Sequence, residues 1–363
     1  MRLLSTLVIV VLAATAQIPI GLAEDDAESV GAQADNSELL AELATVPHKI
    51  VYETYQQDNW GLFIMNADGT GKRNLTNTPD VHEMFPQASP DGTRICFLAD
   101  VEKDGDTIRS VYYMNPDGTG RKLVAEKARQ PCWSPDGKII AYVKQEFDRF
   151  NIADFASKGL YFYDLETGET TGHSNNNHPD EKKRIHHLYN PAWSADGKWI
   201  VSTVHAGMGY SHGILAIEVD GDRVIKLAID GCRPNLSPDS TKITWSQDDR
   251  TVCVADIDFA GAEPTVSNAR ILDRHPKLHL YHPDFSPDGK YVVYSVGPGG
   301  RVPANGPGTH TDLAEMVGIR GIWNLYLKRV DDDSPGVQLT TGESVTNKEP
   351  EWLPVYPGKE TAR

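Results

Sequence analysis

Histidine is the residue type in this chain whose placement could do chemistry. Of the 12 histidines in 363 residues, His82, His187 and His279 each stand four residues before a proline (Pro86, Pro191, Pro283), and His282 adjoins the last of these. Neutral imidazoles that converge on one point can hold a divalent transition metal, so these four are the candidate metal ligands. His205 and His212 flank the glycine-bearing stretch 206–210. Tyr189, Tyr210 and Tyr281 lie beside histidines, and Arg301 and His310 fall in a later insertion. These seven are the candidate ligand contacts. Lys182, Lys183, Arg184, Arg274, Lys277, Arg301 and Arg320 are assigned to the same neighbourhood, although the net charge is −16. A basic mouth on an acidic protein suits an anionic ligand.

The elements that position these residues are set by a repeated cassette. Pro131, Cys132, Trp133, Ser134, Pro135, Asp136 and Gly137 precede an apolar run, and related copies begin at Pro86, Pro191, Pro234, Pro283 and Pro350. Ser-Pro-Asp-Gly suits a type I turn with a left-handed glycine, and β-prone flanks make it a tight hairpin. The cassette prolines are 45, 60, 43, 49 and 67 residues apart. One hairpin per period of this size predicts an all-β fold, a six-bladed β-propeller. The N-terminal strands, beginning near Lys49, lack an innermost partner. Residues 349–353 supply it, which predicts ring closure by the C-terminal strand.

The long intervals hold insertions at 145–159, 172–190 and 297–322. In a propeller, loops between second and third strands share a face with the loops that enter each first strand. The register therefore assigns the histidines and the insertions to one face, at the mouth of the central channel, where loops on a rigid scaffold carry binding. Trp133, Trp193, Phe285 and Trp352 occupy one repeat position and read as packing between blades. Cys96, Cys132, Cys232 and Cys253 lack metal-type spacing and read as buried packing residues.

Residues 1–23 read as a secretory signal peptide, 24–46 as an acidic flexible segment, 47–357 as the propeller and 358–363 as a tail. The expectation is an exported, periplasmic or secreted monomer without a membrane span. The acidic balance excludes nucleic acid, which needs a basic face.

The cassette, a Trp or Phe before Ser-Pro-Asp-Gly and an apolar strand, is similar to the WD40-like PD40 repeat of the TolB-like propellers over about residues 49–354. The chain departs from TolB proper in offering only a short acidic segment where that protein has an α/β domain. A weaker resemblance to oligogalacturonate lyase-type propellers implies a manganese site on the histidine-rich funnel face. There a metal would acidify a proton next to a carboxylate for β-elimination.

Three functions follow as expectations. The first is a ligand- or protein-binding module that works through the histidine-rich face without catalysis. The second is a metal-dependent carbon–oxygen lyase on acidic oligosaccharides. The third is an envelope protein-assembly scaffold. The partners expected are an envelope or extracellular protein, or an anionic oligosaccharide. No nucleophile elbow is recognised and the length leaves little room for a hydrolase domain, so a prolyl-peptidase-type hydrolase is set aside.

Overall fold

Six four-stranded antiparallel sheets are stacked around a central axis in the computed structural model, which describes residues 36–153, 155–298, 322–342 and 345–356. Blade one is His82–Ala88, Ile95–Lys103, Asp106–Met114 and Lys122–Glu126. Blade two is Ala128–Trp133, Ile139–Gln145, Ser157–Asp164 and Thr170–Gly172. Blade three is Leu188–Trp193, Trp199–Gly207, Tyr210–Glu218 and Val224–Lys226. Blade four is Cys232–Leu236, Lys242–Asp248, Thr251–Asp258 and Thr265–Arg274. Blade five is His279–Phe285, Tyr291–Gly297, Asn324–Arg329 and Val337–Gln338. In blade six, Thr346–Leu353 is the first strand, followed by Lys49–Gln56, Asn59–Asn66 and Arg73–Asn74. Lys49 lies opposite Leu353 and Tyr55 opposite Thr346, so the two ends of the propeller share one sheet.

The cassette turn is built the same way five times. In blade one, Gly92 N donates to Ser89 O at 2.8 Å, Ser89 Oγ donates to Asp91 Oδ1 at 2.8 Å, and Arg94 N donates to Ser89 Oγ at 2.9 Å. The serine and aspartate thus satisfy backbone groups that a bare turn would leave open. Gly92 has φ of 70°, and Ser240 takes the same position in blade four at 53°. A side chain is tolerated there, at some strain.

A second regularity escapes the cassette pattern. The residue immediately before each cassette proline is left-handed: Phe85, Gln130, Asn190, Arg233, His282 and Glu349 have φ between 46° and 55°. Strand register slips at each of these points, for example between Met84 and Gln87 and between Tyr281 and Asp284. Each first strand therefore carries a bulge, which re-aims its side chains.

Blades pack through the repeated aromatic. Trp133 joins Met84 and Phe85 of blade one to Ile140 and Tyr142 of blade two, and Trp352 joins Tyr291 and Val293 to Ile50 and Tyr52. Burying a side chain of this size stabilises by roughly 1.5–3 kcal/mol. Helix Ser37–Leu43, at the end of the acidic segment, places Leu39 and Leu43 in the cluster between blades five and six. Its Glu42 accepts hydrogen bonds from Tyr291 and Arg329. The four cysteines are free thiols; Cys96, Cys132 and Cys253 are buried and Cys232 is half-buried.

Candidate functional site: the funnel face and its roof

Of the three histidines four residues before a cassette proline, His82 and His187 reach the preceding blade. His82 Nδ1 accepts the Trp60 N–H at 3.2 Å and lies 3.1 Å from Asn59 Oδ1. His187 Nδ1 lies 2.9 Å from Ala206 O, and its Nε2 lies 3.0 Å from Glu146 Oε2 of blade two. His279 Nδ1 is 3.2 Å from Tyr281 Oη, which donates to Asp249 Oδ1 of blade four at 2.6 Å. Asn59, Glu146 and Asp249 all sit where second strands turn into third. His82 and His187 therefore tie blades together at the funnel face, and beside His279 the Tyr281 hydroxyl does so.

The described residues do not bring the four candidate metal ligands together. No group of three or more histidine, cysteine or acidic residues among the described residues could hold a metal ion. The reason is phase. Position four before the proline and position one before it are three residues apart, so in a pleated strand they face opposite ways. The inner position, made left-handed by the bulge, is the one that meets the axis. Phe85, Asn190, Arg233, His282 and Glu349 line a constriction of about 40 Å³ there. That is room for water, not for a substrate.

His282 is the one candidate metal ligand at this neck. Arg233 Nε donates to His282 Nε2 at 3.1 Å, and Glu349 Oε1 lies 2.9 Å from the same nitrogen. Burial, with the charges of Arg233 and Lys348, holds the imidazole well below its ordinary range. Nε2 thus meets both the guanidinium and the carboxylate, while Nδ1 has no hydrogen-bond partner among the described residues. The Arg233 guanidinium lies 4.4 Å from the Tyr281 ring and 6.0 Å from that of Tyr189.

The blade-two insertion roofs this neck. Arg129, fully buried, donates through Nη1 to Ala153 O at 2.7 Å and through Nη2 to Asn151 O at 2.8 Å. Ala153 and Ala156 then pack against Tyr281 and Trp323 of blade five, on the far side of the ring. Phe150 lies 5.0 Å below the Arg109 guanidinium of blade one, which is itself held by Asp100 at 2.8 Å. A buried cation satisfied by loop carbonyls is a costly group to strand, so the loop's path is well specified.

Beside the roof lies an open cleft of about 490 Å³ between blades two and three, lined by Glu146, Glu181, His186, His187 and residues 206–210. Phe155 stands 4.5 Å from the His205 ring and 6.3 Å from that of His187, and His212 is 6.0 Å from His205. His187, Ala206 and Met208 hold φ of 58°, 56° and 50°. Left-handed backbone at three non-glycine residues around one cleft is strain that the surroundings must maintain, a pattern that clusters at functional sites. Burial lowers the His186 and His212 imidazoles below their usual range, helped by the neighbouring His187 and His205 respectively.

The structure sorts the remaining candidates. Tyr210 lines the cleft, His205 and Tyr189 are half-buried on the funnel side, and His212 is exposed. Tyr281 is corrected: it is 1% exposed, and its hydroxyl and ring are already engaged. Lys183 is also corrected as a funnel-mouth cation, because its ammonium pairs at 2.7 Å with Asp222, in the turn between third and fourth strands. Arg301, His310 and Arg320 lie outside the described residues. Missed in the sequence were Arg129, Arg233, Glu146 and Phe155. For Arg233 a signal was available, because the position before each cassette proline recurs even though its residue type does not.

This fold and face define a six-bladed propeller with a roofed channel. No family model matches the chain. Over 216 residues, 58% of its length, it is 27% identical to the uncharacterized peptidase YuxL of Bacillus subtilis (strain 168). The match takes in 29% of that protein, so the chain spans under a third of it. Among solved structures it resembles hydrazine synthase of Kuenenia stuttgartiensis (TM-score 0.56, 13% identity, 88% of this chain and 48% of that one). It also resembles a chain of a nidogen/laminin complex (TM-score 0.55, 8% identity, 84% and 98%). Both likenesses show the fold alone.

The peptidase match overturns the expectation of a non-enzyme or, failing that, a carbon–oxygen lyase. The named relative belongs to a hydrolase class. Gly209, Tyr210, Ser211, His212 and Gly213 also spell G-x-S-x-G. They span a β-hairpin from Trp199–Gly207 into Tyr210–Glu218. A nucleophile elbow needs a strand, a sharp turn and a helix, and here a second strand follows. No helix among the described residues is long and apolar enough to cross a membrane.

Proposed function

We propose that this chain is an exported propeller of the peptidase type that recognises polypeptide on its funnel face. The observation that carries the reading is the cleft between blades two and three. It combines hydrogen-bonding groups (Glu146, Glu181, His186, His187) with apolar and aromatic ones (Met208, Tyr210) on strained backbone. An extended peptide presents backbone donors and acceptors together with apolar side chains, and such a mixed surface can meet both. The peptidase name of the relative supports polypeptide as the ligand class, and the likeness of the cassette to the TolB-like repeat is compatible with export. Hydrogen–deuterium exchange on the full chain, with and without a mixture of unstructured peptides, tests it. Added protection should concentrate in 146–155, 181–187 and 205–210. Protection elsewhere, or none, would count against the cleft.

A further inference from the structure

The cassette aromatic behaves differently in blade three. Trp133, Phe285 and Trp352 are buried, whereas Trp193 is only half-buried. Its hydrogen bond shows the difference. Trp133 Nε1 reaches across to Gln87 O of the preceding blade at 2.9 Å, but Trp193 Nε1 donates to Gly197 O of its own turn at 3.0 Å. The indole is thus held over its own hairpin, and it leans on half-buried Phe162 of blade two, with ring centroids 5.6 Å apart. Beside it lies a groove of about 450 Å³ between blades two and three, on the face of the cassette turns. Trp193, Phe162 and Val219 supply apolar surface there, and the exposed Asp136, Asp196 and Asp220 stand around them. No lysine, arginine or histidine among the described residues lines the groove. Lys198 Nζ lies 3.8 Å from Asp196 Oδ2 at its edge, and the Asp220 carboxylate has no hydrogen-bond or ion-pair partner among the described residues.

At other blade seams the protein covers its rings with its own cations. Arg94 stands 5.3 Å from the Tyr113 ring and Arg121 5.2 Å from that of Phe97. On the far side of blade three the Arg223 guanidinium lies 4.9 Å from the Trp199 ring while its Nε donates to Glu218 Oε2 at 2.9 Å. Indole, guanidinium and carboxylate make a complete set there. At Trp193 the indole and the carboxylates are present, but among the described residues no cation stands over Trp193 or Phe162. Attraction of a guanidinium to an aromatic face, and of a cation to an acidic rim, would both be satisfied by the missing member.

We propose that this groove docks an arginine of a partner polypeptide together with the apolar residue beside it. The guanidinium takes the place over Trp193 that Arg223 takes over Trp199, and Asp220 and Asp196 supply the carboxylates. The apolar neighbour rests on Phe162 and Val219. Arginine suits the site better than lysine, because its planar, weakly hydrated head stacks on an indole and meets a carboxylate at its edge. The net charge of −16 draws such a basic partner in. The cassette turns lie on the face opposite the funnel, so the proposal does not rest on the cleft reading.

The test is calorimetric titration of the full chain with acetyl-Gly-Arg-Leu-Gly-amide. The controls are the same peptide with citrulline or lysine in place of arginine, and cellohexaose as a neutral sugar able to stack on indole. The arginine peptide should bind saturably, at least about 10-fold tighter than the citrulline peptide and about threefold tighter than the lysine peptide, and added salt should weaken it. Asp220→Lys reverses an exposed charge that holds no turn together, and it should weaken binding by about tenfold or more at unchanged melting temperature. The peptide and salt comparisons are read on the unaltered protein and decide the matter even if the variant folds poorly. Equal binding of the citrulline or lysine peptide, binding indifferent to salt or to Asp220→Lys, tighter binding of cellohexaose, or no saturable binding up to about 10 mM peptide would each overturn the assignment.

Discussion

Arg233 and His282 belong to adjacent blades, and Arg233 Nε donates a hydrogen bond to His282 Nε2 across 3.1 Å. Both stand immediately before a cassette proline, both are left-handed, and both line the neck of the channel. The guanidinium therefore occupies one ring nitrogen of the candidate metal ligand at the neck.

That commitment, with the engaged rings of His82, His187 and His279, makes chelation a direct check. Dialysis against EDTA should leave the melting temperature of the full chain unchanged. A bound structural metal would lower it on removal. His82→Ala should cost about 1 kcal/mol, because it strands the Trp60 amide hydrogen bond, without changing metal content.

The buried groups at the axis predict opposing slopes of stability with pH. Asp284 and Glu351 keep protons in the folded protein where the unfolded chain, with carboxyls near 4, has lost them. Their contribution therefore falls as pH rises from about 4 through about 7. His282 is held below its ordinary range, so the unfolded chain binds the extra proton, and its contribution falls as pH drops below about 6.5. Thermal melts from pH 5 to pH 8 should show Glu351→Gln gaining on the wild type by about 2–4 °C as pH rises. A difference that shrinks with pH would contradict this account of the pair.

Arg129 predicts a local effect. Arg129→Met removes two charged hydrogen bonds to Ala153 O and Asn151 O, worth on the order of 2–3 kcal/mol. The roof should open while the blades hold, so limited proteolysis should cut within 146–156 in the variant before it cuts the wild type. Unchanged cleavage would mean that the Tyr281–Trp323 contact alone seats the loop.

The fold was legible because each blade repeats the same local instructions. Ser89, Pro90, Asp91 and Gly92 specify a turn by side-chain hydrogen bonds and fixed φ, and five copies in register leave little choice of architecture. The site was legible in period but not in phase. Position four before the proline meets the turns between second and third strands, whereas the bulge at Phe85, Arg233 and their equivalents turns the inner residue toward the axis. Bulges of this kind depend on neighbouring strands, and no local residue type marks them: Phe, Gln, Asn, Arg, His and Glu all fill the position. The reach of residues 151–156 across the ring was equally hidden, because Arg129 and Ala153 meet only once the sheets close.

Recognition of polypeptide in the cleft between blades two and three is the central proposal. Fluorescence anisotropy of a labelled unstructured peptide against the full chain tests it directly, with Tyr210→Ala and His205→Ala as variants. The prediction is saturable binding that weakens by about tenfold or more in the variants at unchanged melting temperature. Binding that ignores both substitutions, or no saturable binding at all, would contradict it.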